Sequence, residues 1–384
     1  MKFLFAPDSF KGSLTANEVC GILTDAAKII IPECECVSLP VADGGEGMTD
    51  ALLSACGGRK IKCSVHDPLG RVTDAEYAIL SDNTAAIETA AAAGLSLLEE
   101  SERDPLKTTT YGVGELILDA AARGCKKIIL GLGGSSTNDG GMGIGSALGI
   151  AYLDKNGREL YGCGDNAENV ADMDISRMKD VCGDLEILLA CDVKNPLCGV
   201  DGASRVFGPQ KGADGETSVR LDSGLLSLEK VTEKVLAREY NKKIRLGEIC
   251  GMGAAGGMAL PLVAFLNAKI ESGIDIMLDA MHFDKAAADA DIIFTGEGCT
   301  DAQTLMGKVP LGVGRRAKKL GKPVILVSGC LESGCKPLNN EGISAFFSCS
   351  VFDKDKSWNI NHAAENLDFC ARQIFTAIKF GKNI

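Results

Sequence analysis

Short apolar runs that end in charged, glycine-bearing turns recur at both ends of the chain, and this rhythm restricts the fold more than any other feature. The first run, Lys2–Ala6, precedes a helix that begins after Thr15 and extends to about Ile30. Thr15 and Glu18 have the spacing of a capping box. Alternating strands and helices are typical of parallel sheets, because parallel strands need a helical crossover. Five candidate strands share this pattern: Lys2–Ala6, Cys34–Val41, Asp291–Thr295, Pro323–Ser328 and Ala345–Ser348.

The middle of the chain follows a different pattern. Lys60–His66 and Thr73–Leu80 alternate as strands around the turn Asp67–Arg71, and Thr84–Glu88 can form a third strand. We therefore predict an α/β protein in which a Rossmann-like parallel-sheet domain carries a large inserted α/β domain. The first would contain residues 1–60 and 286–384, and the insertion would contain residues 61–285.

A glycine-rich stretch, Gly131–Gly145 (GLGGSSTNDGGMGIG), lies within the predicted insertion. It follows the apolar run Ile128–Leu130 and precedes Ile144–Ile150, which can form a helix. Glycine lets the backbone take a positive φ and approach a ligand closely, and successive amides at a helix start can bind an anion. The same composition also fits a glycine packing face. The stretch alone leaves both interpretations open.

Charged side chains follow several of the candidate strands. In open α/β sheets, ligands bind outside the carboxyl ends of the strands. A surface turn would explain each charged motif separately, but their recurrence favours a ligand site. The carboxylates concerned are Asp8, Asp43, Glu46, Asp139, Asp192, Glu297 and Asp301, and the candidate cations are Lys11, Lys211 and Lys308.

Composition excludes several classes of function. The net charge of −12 argues against nucleic acid as the main partner. No apolar run approaches the roughly 20 residues of a membrane span, and the start of the chain lacks the features of a signal peptide. The 16 cysteines form no C-x-x-C pair, and the three histidines are far apart. We expect a cytoplasmic protein, monomeric or homodimeric, that acts on small molecules and binds neither nucleic acid nor membranes, with nearly all its cysteines buried.

Two nucleotide motifs can be compared with the chain. Gly251, Gly253 and Gly256 have the spacing of a dinucleotide fingerprint, but the preceding segment, Lys243–Cys250, is a poor buried strand. Gly307-Lys308 is followed by valine, so the chain has no Walker A motif. The first motif keeps a hydride-transferring dehydrogenase open as an alternative, although close packing explains these glycines better.

The chain does carry the groups that phosphoryl transfer requires. Such a reaction needs amides around the phosphates, cations against the developing charge, carboxylates for Mg²⁺ and a base near the acceptor hydroxyl. Gly133–Gly141 can supply the amides, and the lysines and carboxylates above can supply the rest. Many carboxylates at one site repel one another unless cations are present. The pattern therefore favours a site that binds cations.

Seven motifs follow one another in order along essentially the whole chain: Pro7–Ser13, Ala42–Gly47, Gly131–Gly141, Cys191–Val193 with Asn195–Leu197, Val206–Gly212, Gly251–Gly257, and Thr295–Gly298 with Asp301, Gln303, Gly307 and Lys308. Together they resemble the bacterial glycerate kinase family, the one that includes glycerate 2-kinases. This resemblance implies ATP and Mg²⁺ as cofactors, D-glycerate as acceptor, and a Rossmann-like domain with an inserted α/β domain. It also implies 2-phosphoglycerate as the general product, with 3-phosphorylation as the alternative.

From these motifs we assign roles within an expected interdomain cleft, of which the glycine-rich stretch would form one wall. The catalytic candidates are Asp192, Lys11, Asp43 and Glu297. The substrate-binding candidates are Asp8, Ser9, Lys11, Gly12, Ser13, Glu46, Asp301 and Lys308. ATP is expected at Gly133, Gly134, Ser135, Ser136, Thr137, Asn138, Asp139 and Lys211, and Mg²⁺ at Asp139, Asp192 and Glu297.

One position departs from the family pattern, which has arginine after Gly-Glu-Gly where this chain has Cys299. A neutral thiol cannot replace an arginine that binds an anion. We therefore expect either that Lys308 or Lys211 supplies the missing charge or that activity is lowered. A protein that binds a sugar acid without turnover remains a further alternative.

Overall fold

The computed structural model describes residues 1–41, 47–182 and 184–381. Its strands, in chain order, are β1 (Lys2–Phe5), β2 (Glu35–Ser38), β3 (Gly58–His66), β4 (Val72–Leu80), β5 (Ala85–Glu88), β6 (Lys127–Gly131), β7 (Ala151–Leu153), β8 (Asp172–Asp174), β9 (Glu186–Ala190), β10 (Lys269–Glu271), β11 (Ile292–Thr295), β12 (Cys299–Thr300), β13 (Val324–Ser328), β14 (Cys330–Leu331) and β15 (Ile343–Ser348).

The α-helices connect and flank these strands. In chain order they are α1 (Ala16–Ile30), α2 (Met48–Cys56), α3 (Ala90–Ala93), α4 (Tyr111–Ala122), α5 (Met142–Ala147), α6 (Ser176–Cys182), α7 (Ala203–Phe207), α8 (Gly215–Tyr240), α9 (Ala259–Leu266), α10 (Gly273–Ala280), α11 (Phe283–Ala288), α12 (Val309–Lys319), α13 (Lys356–Asn361) and α14 (Ala363–Gly381). Within the described residues, none of the helices is both long and apolar enough to cross a membrane.

Two compact units divide the chain. The first comprises Met1–Asp43, Ser54–Cys56 and Ile274–Ile384, and the second comprises Gly44–Leu53 and Gly57–Gly273. The predicted boundary near residue 285 therefore differs from the observed one. The reason is that Arg316 on α12 forms ion pairs with Asp275, Asp279 and Asp284, which hold α10 and α11 within the first unit.

The first unit contains a five-stranded parallel sheet in the order β2-β1-β11-β13-β15, which confirms the five predicted strands. Its core includes a cluster of phenylalanine rings from β1, β11 and α14, with Phe3 and Phe294 5.8 Å apart between centroids. Helix α1 begins with the predicted capping box, because the Thr15 hydroxyl accepts from the Glu18 amide and the Glu18 carboxylate accepts from the Thr15 amide. The phenylalanine cluster holds β1 in the core, and the capping box sets the start of α1. The first charged turn lies between the carboxyl end of β1 and this helix.

The second unit contains a six-stranded mixed sheet in the order β3-β4-β5-β6-β9-β10. Strands β3 and β4 form the predicted antiparallel hairpin, and β5, β6, β9 and β10 are parallel to one another. Burial of both faces explains the continuous apolar sequence of β6, which is typical of parallel strands. The glycine-rich stretch begins at the carboxyl end of β6, next to that of β9.

Candidate active site

The carboxyl ends of β1 and β11 lie side by side at the point where the strand order of the first unit reverses. From β1 the chain crosses to β2 on one side, whereas β11, β13 and β15 extend on the other side. Such a switch point is the general ligand site of open α/β sheets. The turns after the two strands are joined there, because the Asp8 amide donates to the Gly296 carbonyl at 2.8 Å.

A pocket of about 610 Å³ opens at this edge, a size that suits a small-molecule ligand. It is lined by residues that follow β1, β11, β13 and β15. From the predicted site it includes Asp8, Ser9, Lys11, Ser13, Glu297, Asp301 and Lys308. The structure therefore brings together residues from both ends of the chain.

Three charged residues form a compact group in this pocket. The Lys308 ammonium lies 3.4 Å from a Glu297 oxygen and 3.6 Å from an Asp301 oxygen. The Thr304 hydroxyl donates to the other Glu297 oxygen at 2.6 Å. Burial raises the pKa of Glu297, while the bonds from Thr304 and Lys308 act in the opposite direction. Glu297 is therefore a carboxylate with an increased tendency to take up a proton, next to a fixed cation.

The turn after β1 is held by short-range hydrogen bonds. The Ser9 amide donates to the Asp8 carboxylate at 2.6 Å, and the Ser13 hydroxyl donates to the Phe10 carbonyl at 2.9 Å. Gly12 has a φ of +83°, a conformation that favours glycine, and open space surrounds the position of a Cβ there. The turn thus presents the exposed Lys11 side chain to the pocket. Asp43 and Glu46, predicted beside it, lie outside the described residues.

The glycine-rich stretch of the second unit differs from the predicted phosphate cradle. Only Gly133 and Gly134 are exposed, whereas the segment from Ser135 to Gly141 is buried. The Ser136 hydroxyl and amide both donate to the Ala93 carbonyl, and the Gly140 amide donates to the Gly256 carbonyl. Direct contact between a nucleotide and the buried segment is therefore not supported.

Asp139 organises this loop from inside. Its carboxylate is fully buried and accepts from the Thr110 amide and hydroxyl and from the Gly141 and Gly143 amides, at 2.8–3.0 Å. Burial raises its pKa, and the donated bonds oppose this effect. With its oxygens engaged in this way, Asp139 does not fit the predicted roles in nucleotide and metal binding.

Lys211 is also internal, with only 1% of its side chain exposed. Its ammonium donates to the Ser135 hydroxyl at 2.9 Å and to the Thr137 carbonyl at 2.7 Å. Burial lowers its pKa to about 7. The geometry favours a role in supporting the loop over the predicted direct contact with ATP.

Asp192 follows β9 and is half-buried. One of its oxygens accepts from the Ser272 hydroxyl at 3.1 Å and from the Gly273 amide at 2.9 Å, both at the end of the second unit. Its predicted roles as catalytic carboxylate and metal ligand stay predictions. Among the residues that the structure describes, no group of three or more His, Cys, Asp or Glu side chains could hold a metal ion by itself.

A second pocket, of about 210 Å³, lies at the exposed part of the loop. Its lining includes Gly133, Gly134 and Glu88, the last residue of β5. Glu88 also accepts from the Thr49 amide at 2.8 Å. Gly133 and Gly134 are therefore the predicted nucleotide-binding residues that lie at the surface of this pocket.

The Gly251–Gly257 segment does not have the structure of a dinucleotide fingerprint. The residues before it form a 3₁₀ turn, Leu246–Glu248, where the fingerprint requires a strand. A Cβ at Gly256 would collide with the Thr137 carbonyl oxygen, and Gly256 has a φ of +70°. These glycines therefore allow close packing against the glycine-rich stretch, and the dehydrogenase alternative is not supported.

Sequence reasoning missed the wall of the large pocket that follows β15. This wall contains Val351 and Phe352, with Asn359 and Ile360 from α13. The available signal was topological: the segment follows a strand of the parallel sheet, so its turn belongs to the same ligand-binding edge.

Cys299, which replaces the arginine of the family pattern, is half-buried in this pocket and lies opposite Cys330 in the β12–β14 pair. Burial and the nearby Cys330 thiol raise the pKa of Cys299 to about 12, so the thiol is neutral. Lys308 lines the same pocket, and of the two proposed replacements for the arginine charge it fits better than the buried Lys211. Cys250 and Cys330 are exposed and several other cysteines are only half-buried, so the prediction that nearly all cysteines are buried was wrong.

Comparison with known proteins gives a consistent result. The glycerate kinase family model matches residues 3–379. A glycerate kinase from Haemophilus influenzae is 42% identical over 381 residues, with 99% of each chain covered. A glycerate 2-kinase from Escherichia coli is also 42% identical, over 384 residues and 99% of each chain. The crystal structure of a protein described as "putative glycerate kinase 2" from Salmonella typhimurium LT2 matches with 100% of both chains covered, a TM-score of 0.88 and 41% identity. The chain therefore belongs to the glycerate kinase family.

Proposed function

We propose that this protein catalyses the ATP-dependent phosphorylation of D-glycerate to 2-phospho-D-glycerate by in-line transfer. The observation that carries the proposal is the convergence of Glu297, Asp301 and Lys308 with the Asp8–Ser13 turn at the switch point of a parallel sheet. Family membership supports the phosphorylation of glycerate. The name of the Escherichia coli relative, glycerate 2-kinase, favours the 2-hydroxyl over the 3-hydroxyl as acceptor.

Lys11 and Lys308 would supply the positive charge that the reaction requires. Phosphoryl transfer is promoted mainly by positioning and by cations that offset charge on the transferred group. Both lysines line the large pocket, and Lys308 is fixed by its two carboxylate partners. We assign the carboxylate of glycerate to Lys11 and the turn that carries it, and the transferred phosphoryl group to Lys308.

Glu297 is the candidate base for the acceptor hydroxyl. A general base works best when its pKa lies near the operating pH. Burial raises the pKa of Glu297 in that direction, and the Thr304 hydroxyl fixes one of its oxygens. Of the predicted catalytic carboxylates, it is the one that lies within the described part of this pocket.

The donor set fits Mg²⁺ that is held largely by the nucleotide. Mg²⁺ in kinases is bound by one or two carboxylates together with substrate phosphates. Asp8 and Asp301, which line the pocket, would hold the ion. When bound, it would neutralise charge on the phosphate oxygens.

An ADP-release assay with D-glycerate and ATP, followed by ³¹P NMR of the product, tests the proposal. We expect release of ADP and the signal of the 2-phosphate. The signal of the 3-phosphate would refute the assigned regiochemistry. Binding of glycerate without ADP release would instead identify a non-catalytic binding protein.

The Glu297→Gln variant tests the catalytic assignment. We expect kcat to fall by about 10²–10⁴-fold, the usual contribution of a general base. Glu365→Gln is a matched control, because Glu365 is an exposed carboxylate of the same unit and does not line the pocket. Full activity of Glu297→Gln with an unchanged pH profile would exclude Glu297 as the base.

A further inference from the structure

The large pocket of the first unit extends well beyond the charged group, across the edge of the sheet. Its lining passes from the turns after β1 and β11, through Gly329 and Cys330 after β13, to Cys349–Phe352 after β15. Neighbouring strands lie about 4.8 Å apart, so β1 and β15 are separated by about 14 Å. This span is comparable to the length of an extended nucleoside triphosphate and is far more than a three-carbon acid requires.

The two ends of the pocket differ in chemistry. The end at β1 and β11 carries the acidic and basic residues described above, whereas the end beyond β15 combines the apolar residues Val351, Phe352 and Ile360 with Lys354 and Lys356. Phe352 has a relative exposure of 103%, so its ring packs against little of the protein. An aromatic face open to a ligand pocket is suited to stacking with a planar base.

The segment that carries Phe352 is held in place by the Asn359 side chain and by Ser350, whose amide and hydroxyl donate to the Gly329 carbonyl. The Asn359 carboxamide accepts from the Val351 amide at 2.8 Å and donates to the carbonyls of Val351, Lys354 and Asp355 at 3.0–3.2 Å. The Asp355 carboxylate in turn accepts from the Trp358 amide at 2.7 Å, at the start of α13. A segment fixed before binding loses less entropy when a ligand arrives.

A further acidic side chain lines the same pocket. Glu332 follows β14 and lines the pocket with an exposed carboxylate. Acidic side chains at the carboxyl edge of parallel sheets bind ribose hydroxyls in nucleotide-binding proteins. The pocket therefore offers an aromatic ring at one end, the acidic side chain of Glu332, and Lys308 in the charged group at the other end, which can serve base, ribose and phosphates in turn.

We propose that the nucleoside of the phosphoryl donor binds in this pocket, with its base on Phe352, its ribose at Glu332 and its phosphates directed towards Lys308. The proposal rests on the proposed function for the identity of the donor as ATP. It places the nucleotide in the first unit, whereas the sequence predicted the nucleotide contacts in the glycine-rich stretch of the second unit.

Nucleotide binding without glycerate gives a direct test, since Trp358 is the only tryptophan of the chain and adjoins the pocket residues Asn359 and Ile360. We expect a saturable change in Trp358 fluorescence on addition of ATP. In Phe352→Ala, loss of base stacking should weaken ATP binding, measured by calorimetry, by roughly five- to hundredfold. The KM for glycerate should stay the same, and Phe352→Tyr should restore binding.

Phe369→Ala is the matched control, because Phe369 on α14 is 68% exposed and does not line the pocket. Equal ATP affinity of the Phe352→Ala and Phe369→Ala variants would overturn the proposed site, even if glycerate is phosphorylated. A higher KM for glycerate with unchanged ATP affinity would also overturn it. Weaker ATP binding by Phe352→Ala in a protein that releases no ADP with glycerate would support the site and refute the proposed function.

Discussion

The buried Lys211 makes the stability of the second unit depend on pH in a defined direction. Its ammonium is 1% exposed and donates to the Ser135 hydroxyl and the Thr137 carbonyl. Burial lowers its pKa to about 7, whereas an unfolded chain has a lysine pKa of about 10.4. The informative perturbation is Lys211→Met, because methionine retains an apolar stem without the amine.

The direction in which the free energy of unfolding changes with pH follows from the proton that Lys211 takes up on unfolding. Between pH 7 and pH 10.4 the folded protein holds Lys211 neutral and the unfolded chain holds it protonated, so unfolding binds a proton. The free energy of unfolding therefore rises with pH, by up to about 1.4 kcal/mol per pH unit. From pH 6.5 to pH 9 the contribution of Lys211 should increase by about 2.5 kcal/mol. Below pH 7 the dependence disappears, because both states are protonated.

Urea denaturation followed by circular dichroism, at pH values from 6.5 to 9, measures this effect as the difference between the original protein and Lys211→Met. Groups that titrate in both proteins cancel in the difference. Lys155→Met, at an exposed lysine of the same unit, controls for the loss of one positive charge. If the difference in the free energy of unfolding between the original protein and Lys211→Met stays constant from pH 6.5 to pH 9, the reasoning is refuted. It is also refuted if the original protein loses stability relative to Lys211→Met as the pH rises.

Three further variants test the sites described above. Lys308→Met removes the cation that lowers the pKa of Glu297, so the acid limb of the plot of kcat/KM against pH should move to higher pH. An unchanged acid limb would show that this limb does not report the protonation of Glu297. Asp139→Asn should lower the free energy of unfolding by about 2–4 kcal/mol, because an amide cannot accept all the bonds of the buried carboxylate; urea denaturation measures the loss, and a change below about 0.5 kcal/mol would contradict it. Cys299→Arg restores a cation in the pocket and should lower the KM for ATP or glycerate, whereas unchanged kcat and KM would show that the position has no functional role.

Local rules of chain geometry were sufficient to predict the parallel sheet. The apolar runs of β1 and β11 end in turns that begin with Pro7-Asp8 and Gly296-Glu297, and the capping spacing of Thr15 places the start of α1. Each of these signals depends on neighbours within a few residues. The sequence analysis placed Asp8 and Glu297 after candidate strands, but their meeting in one pocket depends on the adjacency of β1 and β11, which the structure shows.

The wall formed by Phe352 and Asn359 was not predictable in the same way. An exposed phenylalanine in a polar segment produces no periodic pattern, and its use depends on the position of β15 within the sheet. The role of the glycine-rich stretch also depended on distant partners. A run of glycines serves a ligand or a close contact equally well, and here the neighbours Met258, Leu225 and Leu228 occupy the space beside Gly140 and Gly141.

The glycine-rich stretch nevertheless carries features that packing alone does not explain. The Thr137 hydroxyl and the side-chain amide oxygen (Oδ1) of Asn138 are buried without a hydrogen-bond partner, and each such atom costs about 1–3 kcal/mol. Lys211 adds the cost of burying an amine. Apolar residues of similar size would avoid these costs, so stability does not account for the polar sequence. The polar groups would instead fix the backbone that leads from Gly133 and Gly134 into the buried segment. In that interpretation the loop contributes to activity by holding those two exposed glycines in place, while the nucleoside of ATP is bound by the pocket of the first unit.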